Sequence, residues 1–239
     1  MDLKSPNELS IVLPVYNEAD VIKKVVGEIL DYALRLTEDV EIITVDDGSQ
    51  DDSLNILNEM SRSFPQLRVI SHKENMGYGG ALRTGIAFSQ KQWILLMDSD
   101  GQFHIDSLKE LWLQRHQFDL LLGFRQKRKD AFYRLMMGKL GNMACNLILR
   151  RHVYDINCGF KLFKKDIINH LSLSCNGGII NFEILFKLFR TKPSARMQQF
   201  PIIHYPRKSG KSTGGNPKVI LKIISEGIKI ILEPKKQKD

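Results

Sequence analysis

The sequence is short of the features that mark several large protein classes. It has three cysteines in 239 residues, Cys145, Cys158 and Cys175, with no CxxC pair among them. An odd count at that spacing excludes a disulfide framework or zinc knuckle as the organising device and leads us to expect a reducing compartment. No stretch approaches the ~20 apolar residues that a membrane-spanning helix needs; Val219–Leu232 is broken by Lys222, Glu226 and Lys229. The opening residues MDLKSPNELS lack the apolar segment of a secretory leader. The expectation is therefore a cytoplasmic chain, peripheral at most on the cytoplasmic face of a membrane. Internal repeats and Pro-rich linkers are missing as well.

Two familiar nucleotide-binding patterns are incomplete. The segment Asn75-Met76-Gly77-Tyr78-Gly79-Gly80 fails GxGxxG because Leu82 takes the place of the last glycine. The segment Ser209-Gly210-Lys211-Ser212-Thr213 fails Walker A because Tyr205 stands at its first glycine. These gaps argue against a dinucleotide dehydrogenase and a P-loop NTPase. A nucleotidyltransferase would carry a Gly-rich basic loop after its first strand, where this chain has LPVYNE. RNP, KH and zinc signatures are absent too, so no nucleic-acid partner is expected.

What is present is apolar patterning and positive charge. Hydrophobic residues make up 43% and net charge is +8, enough for a substantial core and suited to an anionic partner. Short β-branched runs at Leu9–Val15, Val40–Asp46, Leu67–Ser71, Trp93–Asp98 and Asp119–Phe124 read as buried strands. Between them, Val21–Leu36, Ser53–Phe64, Gly79–Gln90 and Ile105–Gln117 carry helical spacing. That alternation predicts an α/β fold, a Rossmann-like, mostly parallel sheet flanked by helices. Beyond about residue 124 the spacing predicts a long helix over Ala131–Arg150, strands at Gly159–Lys164 and Met197–His204, and a helix over Asn181–Arg190.

The chemically interesting residues follow strands, where ligands bind in such sheets. Asp98-Ser99-Asp100 ends the run WILLM, and residues two apart on extended backbone share a side. Carboxylates so placed repel unless a cation sits beside them, and oxygen donors suit Mg²⁺ or Mn²⁺. Gln102 adds a neutral oxygen. The same acids read equally as a solvated loop. Asp46-Asp47-Gly48-Ser49 offers acceptors to a nucleobase or ribose, or else caps the following helix. The Gly-rich segment either cradles an anion at a helix start or makes a tight turn under close packing.

In order along the chain, LPVYNE, VDDGSQD, NMGYGGALRTG, DSDGQF, GFR, Asp155–Lys161 (DINCGFK) and PRKSGKST resemble the family 2 glycosyltransferases, especially the dolichyl- and undecaprenyl-phosphate sugar synthases. The resemblance runs from about Leu9 to Gly215. It implies a GT-A fold with an acceptor-side helical extension, and a catalytic domain over residues 1–216. The donor half would span about 9–124 and the acceptor half about 125–216. It implies a nucleotide-sugar donor, a UDP- or GDP-sugar, held by Pro14, Tyr16, Glu18, Val45, Asp47, Asp98 and Ser99. Asp98, Asp100 and Gln102 would surround Mg²⁺ or Mn²⁺, Arg125 and Arg134 would contact acceptor phosphate, and Arg207 would sit on a loop over the donor. The implied reaction is inverting transfer to a polyprenyl phosphate; the candidate catalytic residues are Asp100, Arg207 and, for a hydroxyl acceptor, Asp155.

A hydroxyl acceptor on a glycan, lipid or protein would instead require a base, with Asp155 the first candidate and Glu183 the second. Gly138, where the lipid-phosphate synthases often have serine, and GKST in place of GESK bear on the acceptor rather than the donor. Residues 217–239 read as an amphipathic helix with a basic tail, which either packs on the domain or lies on an anionic membrane surface.

Overall fold

The structure, a computed structural model, describes residues 8–126, 132–205 and 217–234. The donor half is built from β1 (Leu9–Val15), α1 (Ile22–Leu36), β2 (Val40–Asp46), α2 (Ser53–Ser63), β3 (Leu67–Ser71), α3 (Tyr78–Phe88) and β4 (Trp93–Leu96). After it come α4 (Leu108–Gln114), β5 (Leu120–Arg125), α5 (Phe132–Leu149), β6 (Lys161–Lys164), α6 (Lys165–Ile168), α7 (Ile180–Thr191), β7 (Met197–Ile202) and α8 (Pro217–Leu232).

The strands form one seven-stranded sheet in the order β3-β2-β1-β4-β6-β5-β7. All run parallel except β6, which is antiparallel to both β4 and β5. Period-two alternation decides which face each strand residue serves. On β1, Leu9, Ile11, Leu13 and Val15 point into a core shared with α1, α2 and α4. Val12 points the other way, into a core with α3 and α7. Both faces of β1 and β2 are covered, so every residue of each is buried; β1 is apolar apart from Ser10, whereas β2 also carries Glu41, Thr44 and Asp46. Helix α1 supplies its side of the first core from Ile22, Val25, Val26, Ile29, Leu30, Ala33 and Leu36, a stripe at i, i+3, i+4 and i+7.

The structure refines the sequence-based boundaries. The first three strands lie where the pattern put them. β4 stops at Leu96, so Met97 to Asp100 leave the ladder and turn at the top of the sheet. The helix expected over Ile105–Gln117 is broken, with 3₁₀ turns at Ile105–Ser107 and Arg115–Gln117 on either side of α4. The short α6 and the reversed direction of β6 left no periodic signal to read.

Candidate active site

Strand β1 has β2 on one side and β4 on the other. The chain winds outward through β2 and β3, then crosses back to β4, so the connections diverge at the carboxyl ends of β1 and β4. A crevice opens at such a switch point. Here it is a cleft of about 630 Å³ lined by Pro14, Tyr16, Glu18, Asp47, Asp98 and Asp100, among others.

Asp98 and Asp100 form its acidic floor. Burial and the neighbouring Asp100 charge push the Asp98 carboxyl up to about 6, although Tyr78 and Lys161 work in the opposite direction. Asp100 Oδ1 accepts the Gln102 backbone N–H at 3.0 Å. Gln102 Nε2 donates to the Tyr205 carbonyl at 2.9 Å, which leaves its Oε1 as the side-chain oxygen for a ligand. A buried carboxylate raised in part by its acidic neighbour, with an amide oxygen nearby, belongs to a donor set that a hard divalent cation would relieve. Mg²⁺ and Mn²⁺ take one or two carboxylates and complete their shell with water and phosphate oxygens. The residues fit such an ion.

Behind the floor lies a polar chain. Tyr78, the first residue of α3, donates its hydroxyl hydrogen to Asp98 Oδ1 at 2.8 Å. Asn181, near the start of α7, lies close enough to Tyr78 for its side chain to favour the ionised hydroxyl. Lys161, the first residue of β6, is 0% exposed and donates Nζ hydrogens to Asn181 Oδ1 at 2.6 Å and to the Cys158 carbonyl. Burial pushes the Lys161 ammonium down to about 8.

A second concavity of about 690 Å³ opens beside the cleft, with Arg125, Asp155, Met143, Leu147 and Tyr154 in its wall. Arg125 and Asp155 pair through two bonds, Nε to Oδ2 at 2.7 Å and Nη2 to Oδ1 at 2.9 Å. Burial works against the guanidinium charge, but Asp155 more than reverses it and holds Arg125 above the ordinary arginine range. Asp98 also contributes to holding that charge, which places Arg125 electrically at the border of the two concavities.

The glycosyl transferase family 2 profile matches residues 10–172, about two thirds of the chain. The chain belongs to glycosyl transferase family 2. Among family relatives, it is 28% identical over 230 residues to a dodecaprenyl-phosphate galacturonate synthase of Rhizobium johnstonii, covering 95% of this chain and 65% of that one. It is 35% identical over 114 residues to a dolichyl-phosphate beta-glucosyltransferase of Trichomonas vaginalis, covering 45% of this chain and 34% of the relative. A glucosyl-3-phosphoglycerate synthase from Mycobacterium tuberculosis, crystallised with Mn²⁺ and UDP-glucose, shares the fold with a TM-score of 0.72 at 17% identity, covering 96% of this chain and 81% of that one. The chain spans from a third to two thirds of the length of these two sequence relatives.

Within this family 2 chain the structure brings together Pro14, Tyr16, Glu18, Asp98 and Asp100, and sets Gln102 beside them. Other expected residues are held by the protein itself. Val45 is 0% exposed and packs with Ile43 and Ala81 beneath the cleft, so its side chain is core rather than a donor contact. Ser99 Oγ donates to the Pro14 carbonyl at 2.6 Å, tying the ends of β1 and β4 together at the wall of the cleft. Asp47 lines the cleft while its oxygens accept the Met76 and Gly77 backbone N–H groups at 2.8 Å each, and His72 Nδ1 lies 2.7 Å from Oδ1. It anchors the Gly-rich segment, which makes the close-packed turn. Gly77 has φ +84°, and a Cβ there would lie 2.5 Å from the Asn176 carbonyl oxygen.

On the acceptor side, Glu183 is 0% exposed and accepts bonds from Ser174 and Cys175 backbone N–H groups and from Lys187, which rules it out as a base. Asp155 places both carboxylate oxygens on Arg125. Arg134 lies in the first turn of α5, and Arg207 falls outside the described residues. The described end of α8 packs on α7: Ile230 is buried, and Lys187 meets Glu233 at 2.6 Å. The sequence pattern marked Asn181 only as the start of an expected helix, and Tyr78 and Lys161 only inside longer motifs. Lysine at the first position of an apolar strand run was the available signal.

Proposed function

We propose that this chain carries out inverting transfer of a sugar from a UDP- or GDP-sugar to a polyprenyl phosphate, with Mg²⁺ or Mn²⁺ at Asp98, Asp100 and Gln102. The observation that carries this reading is the adjacency of two unlike concavities. One is floored by paired acids; the other combines a guanidinium with exposed apolar side chains. Met143 and Leu147, 58% and 75% exposed, share a wall with Arg125. A phosphate on a long apolar chain matches that combination better than a free sugar hydroxyl does. The names of the relatives, which include dolichyl-, dodecaprenyl- and undecaprenyl-phosphate acceptors, support the same class.

The chemistry follows from charge. A cation held by the acids would offset the negative charge growing on the departing nucleoside diphosphate. Pro14, Tyr16 and Glu18 hold the donor at the end of β1, with the anomeric carbon facing Arg125. A phosphate monoester is largely dianionic at neutral pH, its second pKa being about 6. Its oxygen attacks that carbon in line as the bond to the β-phosphate oxygen breaks, which inverts the configuration. No base is required, and Arg125 serves to position the attacking oxygens. Asp155 holds the guanidinium plane through two of its five N–H groups and leaves three for phosphate.

The test is incubation with labelled UDP- and GDP-sugars and polyprenyl phosphate, following label into the organic phase. Asp100→Ala is expected to abolish transfer. A variant that keeps most of the wild-type rate would contradict the assignment of the acids.

A further inference from the structure

We propose that Lys161, Asn181 and Tyr78 form a buried positioning relay that fixes the Asp98 carboxylate for its cation. The direction of the relay is set by chemistry. An ammonium group can only donate, so the atom of Asn181 that it meets must be Oδ1. The amide then has to present Nδ2 to the Tyr78 hydroxyl. In the relay that hydroxyl takes the Asn181 hydrogen on its oxygen, and its own single hydrogen goes to Asp98 Oδ1 at 2.8 Å. Each link orients the next, and the charged end is sealed from water, where hydrogen bonds are stronger and polarise one another.

Packing completes the clamp. A Cβ on Gly159 would lie 2.3 Å from both Asp98 carboxylate oxygens, so the carboxylate rests directly on that backbone. With Oδ1 held by Tyr78 and the plane pressed on Gly159, Oδ2 is presented to a cation in one orientation. The relay joins three separate elements, the starts of α3, β6 and α7, to the tip of β4. It also accounts for two motifs, the Gly-rich segment and DINCGFK, that the donor reading alone leaves idle. Partners of this kind, which orient a ligand without touching the metal, typically alter metal affinity by 10–100-fold when removed.

The proposal rests on the reading of Asp98 as a metal ligand in the donor cleft, and binding measurements separate the two. Mn²⁺ affinity is measured by electron paramagnetic resonance on the whole chain with UDP or GDP, alongside nucleotide affinity without metal. Tyr78→Phe removes the hydroxyl while keeping the ring. Asn181→Asp keeps the acceptor for Lys161 but has no hydrogen to offer Tyr78. Both variants are expected to weaken Mn²⁺ binding by about tenfold and to leave metal-free nucleotide binding unchanged. In Asn181→Asp the loss is expected despite an added negative charge, which would otherwise favour a cation. Wild-type Mn²⁺ affinity in either folded variant overturns the relay and leaves the donor reading standing. A wild-type chain that binds neither nucleotide nor Mn²⁺ overturns both.

Discussion

At the scale of single residues, the Arg125–Asp155 pair separates two acceptor chemistries. If the acceptor is a phosphate, Asp155 works through Arg125, and Asp155→Asn weakens the hold on the guanidinium without removing a proton acceptor. The expected outcome is a rise of about tenfold in acceptor KM, ~1.4 kcal/mol of lost positioning, with kcat little changed. Steady-state kinetics with varied acceptor checks this. A collapse of kcat with KM unchanged would instead identify Asp155 as a base for a hydroxyl. Arg125→Lys keeps the charge but not the fork, and is expected to lower acceptor kcat/KM in the same way.

Residue identity also marks how much of the site could be read beforehand. That Asp98 and Asp100 stand together at a strand end was legible from the apolar run before them, although the same spelling fits a solvated loop. The hold of Asp47 on the Met76 and Gly77 backbone was not legible, because a carboxylate that caps two backbone N–H groups has the same spelling as one that meets a base. Val45 and Ser99 belong to functional motifs yet serve the interior, since a motif records neighbours in sequence and not which face each one occupies.

At the scale of elements, Glu41 stitches the donor-half strands to one another. Its carboxylate, on β2, accepts from Ser10 Oγ of β1 at 2.7 Å, from Arg68 Nη1 of β3 at 3.0 Å and from the Gln90 backbone N–H at 2.6 Å. Burial raises its pKa, but these bonds outweigh burial and hold the carboxyl below the usual glutamate range. Its stabilisation is therefore fully present above the unfolded-state value of about 4.3 and is lost as pH falls through the lower folded value. Glu41→Gln is expected to cost about 1–3 kcal/mol at neutral pH. Urea unfolding at pH 7 and pH 3 checks it: the wild type should lose more stability over that interval than the variant.

Elements also differ in how openly the sequence declared them. Strands β1 to β3 and helices α1 to α3 follow the two simple periods, and their boundaries fall within two residues of those expected. The direction of β6 could not be read, because four residues buried on both faces look alike in either direction.

At the scale of the whole molecule, an apolar surface and a surplus of positive charge coexist. Helix α5 leaves Met136, Met137, Leu140, Met143, Leu147 and Ile148 exposed, and the chain carries a net +8. Exposed apolar side chains grouped in this way mark a contact surface. With a lipid-borne acceptor, that surface is expected to meet a bilayer. Flotation with anionic vesicles should recover the chain at low salt and recover less as ionic strength rises. Leu147→Glu with Met143→Glu should abolish flotation while metal-free nucleotide binding persists. Equal recovery of wild type and double variant would remove α5 from the interaction.

The antiparallel strand β6 has a consequence for how this protein can be taken apart. Because β6 lies between β4 and β5, the N-terminal stretch through Arg125 contains a strand with no neighbour of its own to rest against. Severed there, the first piece would keep four paired strands with a raw outer edge and a stranded fifth. The second piece would hold the plug for that gap. Neither fragment is a portable donor-binding module, and a split-protein design would regain its site only when both fragments meet and the late strand slides home.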